Sequence, residues 1–231
     1  METRNGGFKR GALCRNWPLG QKLGSNAGGY RGHLQHKHKK GHKMQASFDI
    51  RTDEMPSEMH SLLRAYPRDA WEQHPGFRDK TQHWLAAHKM FRQLGRVLRK
   101  ETERYLDNSR APDDYAARLS YYGDALVQNL HGHHHWEDHN FFPELLAAEP
   151  RLDAGFDILE KDHEDLDRIL DSFAKTANRA IKLIQLDEQQ ARDEAGKLHR
   201  IAETIEALLH RHLGDEEELA VPIILHHRLR G

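Results

Sequence analysis

The stretch that decides the fold is HGHHHWEDHNFFPELL, residues 131–146. It contains H-x-x-x-E, His133 and Glu137, followed six residues later by Pro143. HRHLGDEEELAVPIIL, residues 210–225, repeats the arrangement with His212, Glu216 and Pro222. A shift of 79 residues superposes His131 on His210, His133 on His212, Glu137 on Glu216 and Pro143 on Pro222. Residues four apart on an α-helix share a face, one turn above the other. Each copy therefore sets an imidazole and a carboxylate within reach of one metal ion, or of one ion and its bridged neighbour. The proline lacks an N–H and clashes with the preceding turn, so it is expected to end or kink the helix just beyond the pair.

Outward from these copies, a 3.6-residue periodicity predicts four long helices. The first starts at Asp79 and runs to about Leu106, with the stripe Trp84, His88, Phe91, Gly95, Leu98. The second starts after Pro112-Asp113 and runs to about Phe142, through Leu119, Tyr122, Leu126, Leu130, His133 and Glu137. The third follows Pro150 and Gly155, through Phe156, Leu159, His163, Leu166, Leu170, Phe173 and Ala177. The fourth starts near Asp187, through Leu198, Ile201, Ile205, Leu208, His212, Glu216 and Leu219. Long helices with short connections favour an all-α, up-down-up-down four-helix bundle over residues 79–228.

Polar residues interrupt these apolar stripes at His88, His133, Glu137, His163, His212 and Glu216. A lone buried histidine is ordinarily a hydrogen-bonded core residue. Six such groups spread over four helices need a shared partner, because each unpartnered one costs up to several kcal/mol. A metal centre satisfies all six. His88 precedes His133 by 45 residues and His163 precedes His212 by 49, so the set is pseudo-symmetric. Two metals bridged by Glu137 and Glu216, each holding two imidazoles, is the natural arrangement. Imidazole with carboxylate suits iron, manganese or zinc alike.

The rest of the chain bounds the reading. Residues 1–44 hold ten Lys/Arg against the single acid Glu2, with nine Gly and no periodicity, which reads as a disordered basic tail. It lacks the interleaved aromatics of a specific nucleic-acid binder. A dispensable tail, or an extension ahead of a start at Met44, is the expectation for it. Residues 45–78 read as a lead-in with one short helix near Ser57–Ala65, with Trp71 and Phe77 covering one end of the domain. One cysteine, Cys14, excludes an intramolecular disulfide framework and a Cys-based metal site, and points to a reducing cytoplasm. No apolar run approaches the ~20 residues of a membrane helix.

The pattern His88, then His133/Glu137 before Phe142-Pro143, then His163, then His212/Glu216 before Pro222 resembles the hemerythrin-like (HHE cation-binding) family across residues 79–225. The resemblance implies a four-helix bundle around two non-haem, oxo-bridged iron ions. His88, His133, His163 and His212 would be terminal ligands, and Glu137 and Glu216 bridges. It implies O2, NO or peroxide as the small molecule bound at open iron positions. The oxygen carriers of the family have a fifth His from H-x-x-x-H on the third helix, whereas here Leu159 and Asp167 flank His163 at those spacings. The four-His, two-Glu set is more similar to iron-centre repair and iron- or oxygen-sensing relatives, although no Cys-bearing N-terminal module is seen beyond Cys14.

Other signals are weaker. His131, His134, His135 and His139 read as solvated residues or adventitious metal sites. Glu160 and His163 form one E-x-x-H, a ferritin-like spacing, but only one copy exists and Glu160 falls off the core stripe. Asp167 is a candidate acceptor for the His163 ring, and Trp84 a shield over the site. The leading expectation is a di-iron binding or sensing protein. The rivals are a di-iron enzyme (peroxidase, oxidase or iron-centre repair) and a redox-inert metal-binding bundle.

Overall fold

The computed structural model describes residues 50–229. The basic tail expected over residues 1–44 lies outside them. Helix α1 spans Asp79–Leu106 and α2 spans Pro112–Trp136. A π-helical turn, Glu137–Phe141, joins α2 to α3, Phe142–Ala148. Helix α4 spans Asp153–Ile184 and α5 spans Glu188–His227. Helix α1 packs on α2 and α5, and α4 packs on the same two, so four long helical rods close an all-helical bundle.

Local chemistry sets the boundaries. Pro112 occupies the first turn of α2, where its missing N–H costs nothing, and Asp113 and Asp114 follow at the positive end of the helix dipole. The Asp187 carboxylate caps α5 by accepting from the Gln190 N–H at 3.0 Å. Helices α1 and α5 end at Asn108 (φ 59°) and Arg228 (φ 55°), left-handed residues that return backbone N–H groups to the final turn. Gly123 lets α2 approach α4, since a Cβ there would meet the Phe173 ring at 3.2 Å.

The two prolines of the repeat do not end their helices. Pro222 lies inside α5, which continues to His227. Pro143 sits in the first turn of α3, and the rod passes it through the π turn. A proline ring crowds the carbonyl four residues back. The looser turn accommodates this by running its bond from the Phe142 N–H to the Glu137 carbonyl, five residues back. The second rod therefore extends beyond the expected Phe142 end, to Ala148. Helix α4 begins at Asp153, ahead of Gly155. The short helix expected near Ser57–Ala65 is a run of turns, such as Met59 N–H to the Pro56 carbonyl at 2.9 Å, followed by a 3-10 turn at Arg68–Ala70. Trp71 and Phe77 do pack on this end of the bundle.

The apolar interior falls into two clusters. One holds Phe91, Leu130, Leu166, Leu209 and Leu213, and runs on to the stacked Tyr105–Tyr115 pair. The other holds Trp84, Phe141, Leu159, Leu219 and Ile223. Each rod crosses from one cluster to the other at the same level: between Trp84 and Phe91, Leu130 and Phe141, Leu159 and Leu166, Leu209 and Leu219. The six polar residues singled out above occupy that level. They form a polar layer sandwiched between two dry ones.

Candidate metal centre

All six side chains converge. His88, Glu137, His212 and Glu216 are fully buried at 0 % exposure, and His163 at 3 %. His133 is the most accessible, with 10 % of its side chain exposed. On the α1–α2 side, the His88 and His133 Nε2 atoms approach to 3.0 Å, and Glu137 Oε1 lies 3.0 Å from His133 Nε2. On the α4–α5 side, Glu216 Oε1 lies 3.2 Å from His163 Nε2 and 3.3 Å from His212 Nε2. Each glutamate also reaches across. Glu216 Oε2 is 3.5 Å from His88 Nε2, and Glu137 Oε2 is 3.9 Å from His163 Nε2. Two carboxylates thus stand between two pairs of imidazoles.

The outward-facing ring nitrogens are held by three further carboxylates. Glu217 Oε1 lies 3.1 Å from His88 Nδ1, and Asp138 Oδ1 lies 2.6 Å from His163 Nδ1. Asp162 Oδ2 faces His212 Nδ1 at 3.6 Å. A carboxylate on the far nitrogen fixes ring orientation and raises basicity, as around metal-bound histidines. These carboxylates are themselves anchored: Arg68 (2.6 Å) and Arg92 (2.7 Å) hold Glu217, and Arg51 and Arg211, each at 2.8 Å, hold Asp162. The Trp84 indole N–H donates to Glu137 Oε1 at 2.6 Å. Trp84 is therefore more than a shield, because it orients a central carboxylate. Asp167 does not reach His163. It is exposed and pairs with His131 at 3.0 Å.

Charge follows this geometry. Burial pushes the His88 imidazole down, but Glu137 and Glu217 more than offset it and raise it to about 9. Burial likewise opposes His163, and Asp138 with Glu216 raises it to about 10. Burial would lift Glu216 and Asp162, yet neighbouring imidazoles, and for Asp162 also Arg51 and Arg211, hold both well below the usual carboxylate range. The raised His88 and His163 imidazoles thus stand against the lowered Glu216 and Asp162 carboxylates.

Unmet bonding capacity is concentrated in the same layer. Glu137 Oε2, Glu216 Oε2 and the inward-facing His212 Nε2 are buried without a hydrogen bond. Buried polar atoms are nearly always paired, so these are the atoms a cation would engage. Three overlapping sets have ligand-type atoms within 4.8 Å of one another: His88, His133, Glu137; Glu137, His163, Glu216; and His134, His163, His212. The donor set, imidazole and carboxylate without thiolate, suits a borderline cation such as iron, manganese or zinc.

His134 corrects the sequence reading, which placed it with solvated histidines. It is 2 % exposed and stacks on the His163 ring at 4.0 Å and 9°. Burial, and then the neighbouring His163 and His212, push its imidazole well below the ordinary value, so it is neutral. His135 and His139 are exposed as expected, and Glu160 is exposed too, so no ferritin-like E-x-x-H site forms. Glu149, His226 and His227 make a further acidic–imidazole set at the α3 and α5 ends, but Arg151 already occupies Glu149 at 2.6 Å.

Among the helices of the described residues, none is long and apolar enough to cross a membrane. No curated protein and no solved structure matches the chain significantly. The hemerythrin HHE cation-binding domain matches residues 79–224, the segment that carries the bundle and all six converging side chains. This chain therefore belongs to the hemerythrin HHE cation-binding family.

Proposed function

We propose that the polar layer holds two iron ions and that the pair binds O2, NO or peroxide. His88 and His133 would hold one ion, His163 and His212 the other, with Glu137 and Glu216 between them. The observation that carries this reading is the pair of central glutamates. Each is 0 % exposed, each faces imidazoles from both sides of the bundle, and each keeps one oxygen without a hydrogen bond. Iron would supply a redox-active Lewis acid with coordination positions left over for a small ligand.

The chain's own residues then have separable tasks. Asp138, Asp162 and Glu217 aim imidazoles inward. Trp84 fixes one oxygen of Glu137. Phe91 and Phe141, each 1 % exposed, exclude water above and below the layer. His133 alone reaches the edge, so small molecules would enter beside it. Asp138, Asp162 and Glu217 are all engaged by imidazole or arginine, which leaves none of these three carboxylates free as a general acid. That favours binding or sensing over turnover.

The test is metal content per chain, with an absorption spectrum, on untagged protein purified anaerobically and then exposed to air. About two irons, with new near-ultraviolet and visible bands of a coupled ferric pair, are expected. Zinc or no metal, with helicity intact, would refute the redox reading. Glu137→Ala and Glu216→Ala together should lower metal occupancy and melting temperature in parallel, since bound metal stabilises by mass action. Two metals per chain retained after both replacements would remove the glutamates from the site. Peroxide turnover with an added reductant would move the protein from binder to enzyme.

A further inference from the structure

We propose that the groove between α1 and the lead-in segment binds a phosphate monoester with an apolar body, and that an occupant there acts on His88 through Glu217. The groove encloses about 690 Å³, within the ~300–1,000 Å³ usual for small-molecule sites. One side is a stripe on α1. Leu85, Lys89, Arg92, Arg96 and Lys100 follow one another at steps of three or four residues, so they share a face. The other side comes from the lead-in, with Arg68, Trp71 and Phe77. Glu217 of α5 also lines the groove, with 5 % of its side chain exposed.

A cationic helix face is ordinarily a solvated one, and two observations set this one apart. First, its charge is not met within the chain. Residues 45–231 carry 25 Lys/Arg against 35 Asp/Glu, yet the groove sets Arg68, Lys89, Arg92, Arg96 and Lys100 against Glu72 and Glu217. Among the described residues Lys89 and Lys100 form no ion pair, and Arg96 reaches Glu206 at 3.8 Å. Second, the cations adjoin an apolar wall of Trp71, Phe77, Leu85 and Val97, with the Arg68 guanidinium 4.7 Å above the Trp71 ring. The surplus charge calls for an anion, and the wall for an apolar body on the same molecule. A phosphate monoester carries about two negative charges near neutral pH and takes guanidinium and ammonium donors together, so it meets more of the surplus than a carboxylate does. Two of the cations have a second task. Arg68 and Arg92 hold Glu217 at 2.6 and 2.7 Å, and Glu217 holds His88 Nδ1 at 3.1 Å. A phosphate that draws these guanidinium groups into the groove competes with Glu217 for them, and Glu217 passes the change to the His88 ring. Site and relay belong to the chain itself; the relay reaches a metal ion only through the metal reading above.

The test is calorimetric titration of 1-naphthyl phosphate into the whole, metal-free chain, with inorganic phosphate as the probe that lacks an apolar body. The ester should bind roughly tenfold more tightly than inorganic phosphate, from the apolar surface it buries. Lys89→Ala/Arg96→Ala leaves both anchors of Glu217 in place and should weaken the ester about tenfold, through lost charge-assisted contacts. Lys175→Ala/Lys182→Ala removes the same charge from α4 and should bind as wild type does. Equal affinity in wild type and Lys89→Ala/Arg96→Ala, or no binding of the ester, would overturn the site; ester and inorganic phosphate bound alike would overturn its apolar half. Sedimentation with phosphatidylcholine vesicles containing phosphatidic acid tells the source of the phosphate: capture that Lys89→Ala/Arg96→Ala abolishes places it on a lipid, and no capture places it on a soluble ester. With histidine 15N labelling, the His88 ring resonances of the metal-free chain should shift as the ester saturates it. Ester bound with His88 unmoved would refute the relay. A chain that takes up no metal would refute the metal reading and leave these results standing.

Discussion

Asp162→Asn isolates the carboxylate that sits behind His212. The Asp162 side chain is 1 % exposed, and its two oxygens accept from Arg211 and Arg51 at 2.8 Å each. Asparagine preserves the shape and keeps one acceptor. Its amide then turns a donor toward one of the two guanidinium groups. One charge-assisted hydrogen bond, worth ~1.5–3 kcal/mol, is lost outright, and the other falls to about half its strength when the acceptor becomes neutral. Arg51 and Arg211 remain 18 % and 21 % exposed, so water recovers part of the loss. Arg51 also keeps Asp215 at 2.5 Å. The net cost should therefore be ~2–3 kcal/mol, just below the ~3–5 kcal/mol for breaking a fully buried pair. For a domain of this size, ~2–4 °C per kcal/mol converts that to a drop of roughly 4–12 °C in melting temperature. The assay is far-ultraviolet circular dichroism on metal-free protein, with the exposed Asp167→Asn as control, expected to stay within ~1 °C because it removes only an exposed pair. The same variant should weaken metal retention about 10–100-fold by releasing His212 Nδ1. Melting within 1–2 °C of wild type, with metal retention unchanged, would refute the reasoning: the arginines and His212 would then gain no net stability from the Asp162 charge.

Trp84→Phe removes the indole N–H from Glu137 Oε1 while keeping an aromatic ring in the cluster; it should cost ~1.5–3 kcal/mol in urea denaturation of the metal-free chain, and an unchanged midpoint would mean that Glu137 finds another donor. Glu149 is held at about 2 by Arg151 and also by His227. A depressed carboxylate adds stability above its unfolded value, near 4.5, that is lost as pH falls through about 2. The gap in urea midpoint between wild type and Glu149→Gln should accordingly be widest above pH 5 and close toward pH 2; a gap independent of pH would contradict this. Gly196 lies mid-helix in α5 with open space where a Cβ would go. Gly196→Ala should raise stability by ~0.5–1 kcal/mol through helix propensity alone, and a lower melting temperature would show a contact that the bundle does not display.

The bundle and the convergence of the six residues were legible because both are matters of period. Apolar stripes at three- and four-residue steps mark the faces that meet, and a histidine or glutamate on such a stripe must enter the core with them. His88, His133, Glu137, His163, His212 and Glu216 all obey this. The sequence left open whether each proline would end or kink its helix. The rule that proline breaks a helix neglects the tertiary packing that holds Pro222 within α5, and the extra residue per turn that lets the second rod pass Pro143. The short lead-in helix failed for a related reason. Six to nine residues form no stable helix without burial of one face, and among residues 57–65 only Met59 is buried.

The surrounding carboxylates were the larger omission, although the sequence did carry a signal for two of them. The repeat does not stop at the glutamate. Asp138 follows Glu137 and Glu217 follows Glu216, so the unit is H-x-x-x-E followed by a second acid. One residue further along a helix is about 100° further round. The first acid therefore enters the centre while the second faces the neighbouring rod. There Asp138 of the π turn meets His163 of α4, and Glu217 of α5 meets His88 of α1. Each copy thus contributes its own imidazole and carboxylate to the layer, and orients an imidazole it does not carry. A stripe reading keeps only what lies on the apolar line, so it discards this second acid as surface charge. Asp162 and His134 escape for the same reason, each lying one residue off its stripe. At a polar layer the informative positions are the stripe residues together with their immediate neighbours, because each rod packs against two others and buries a flank beside its stripe, while Glu160, Glu164 and His135 on the outer side stay exposed. His134 and Asp162, at 2 % and 1 % exposure, are what that geometry produces.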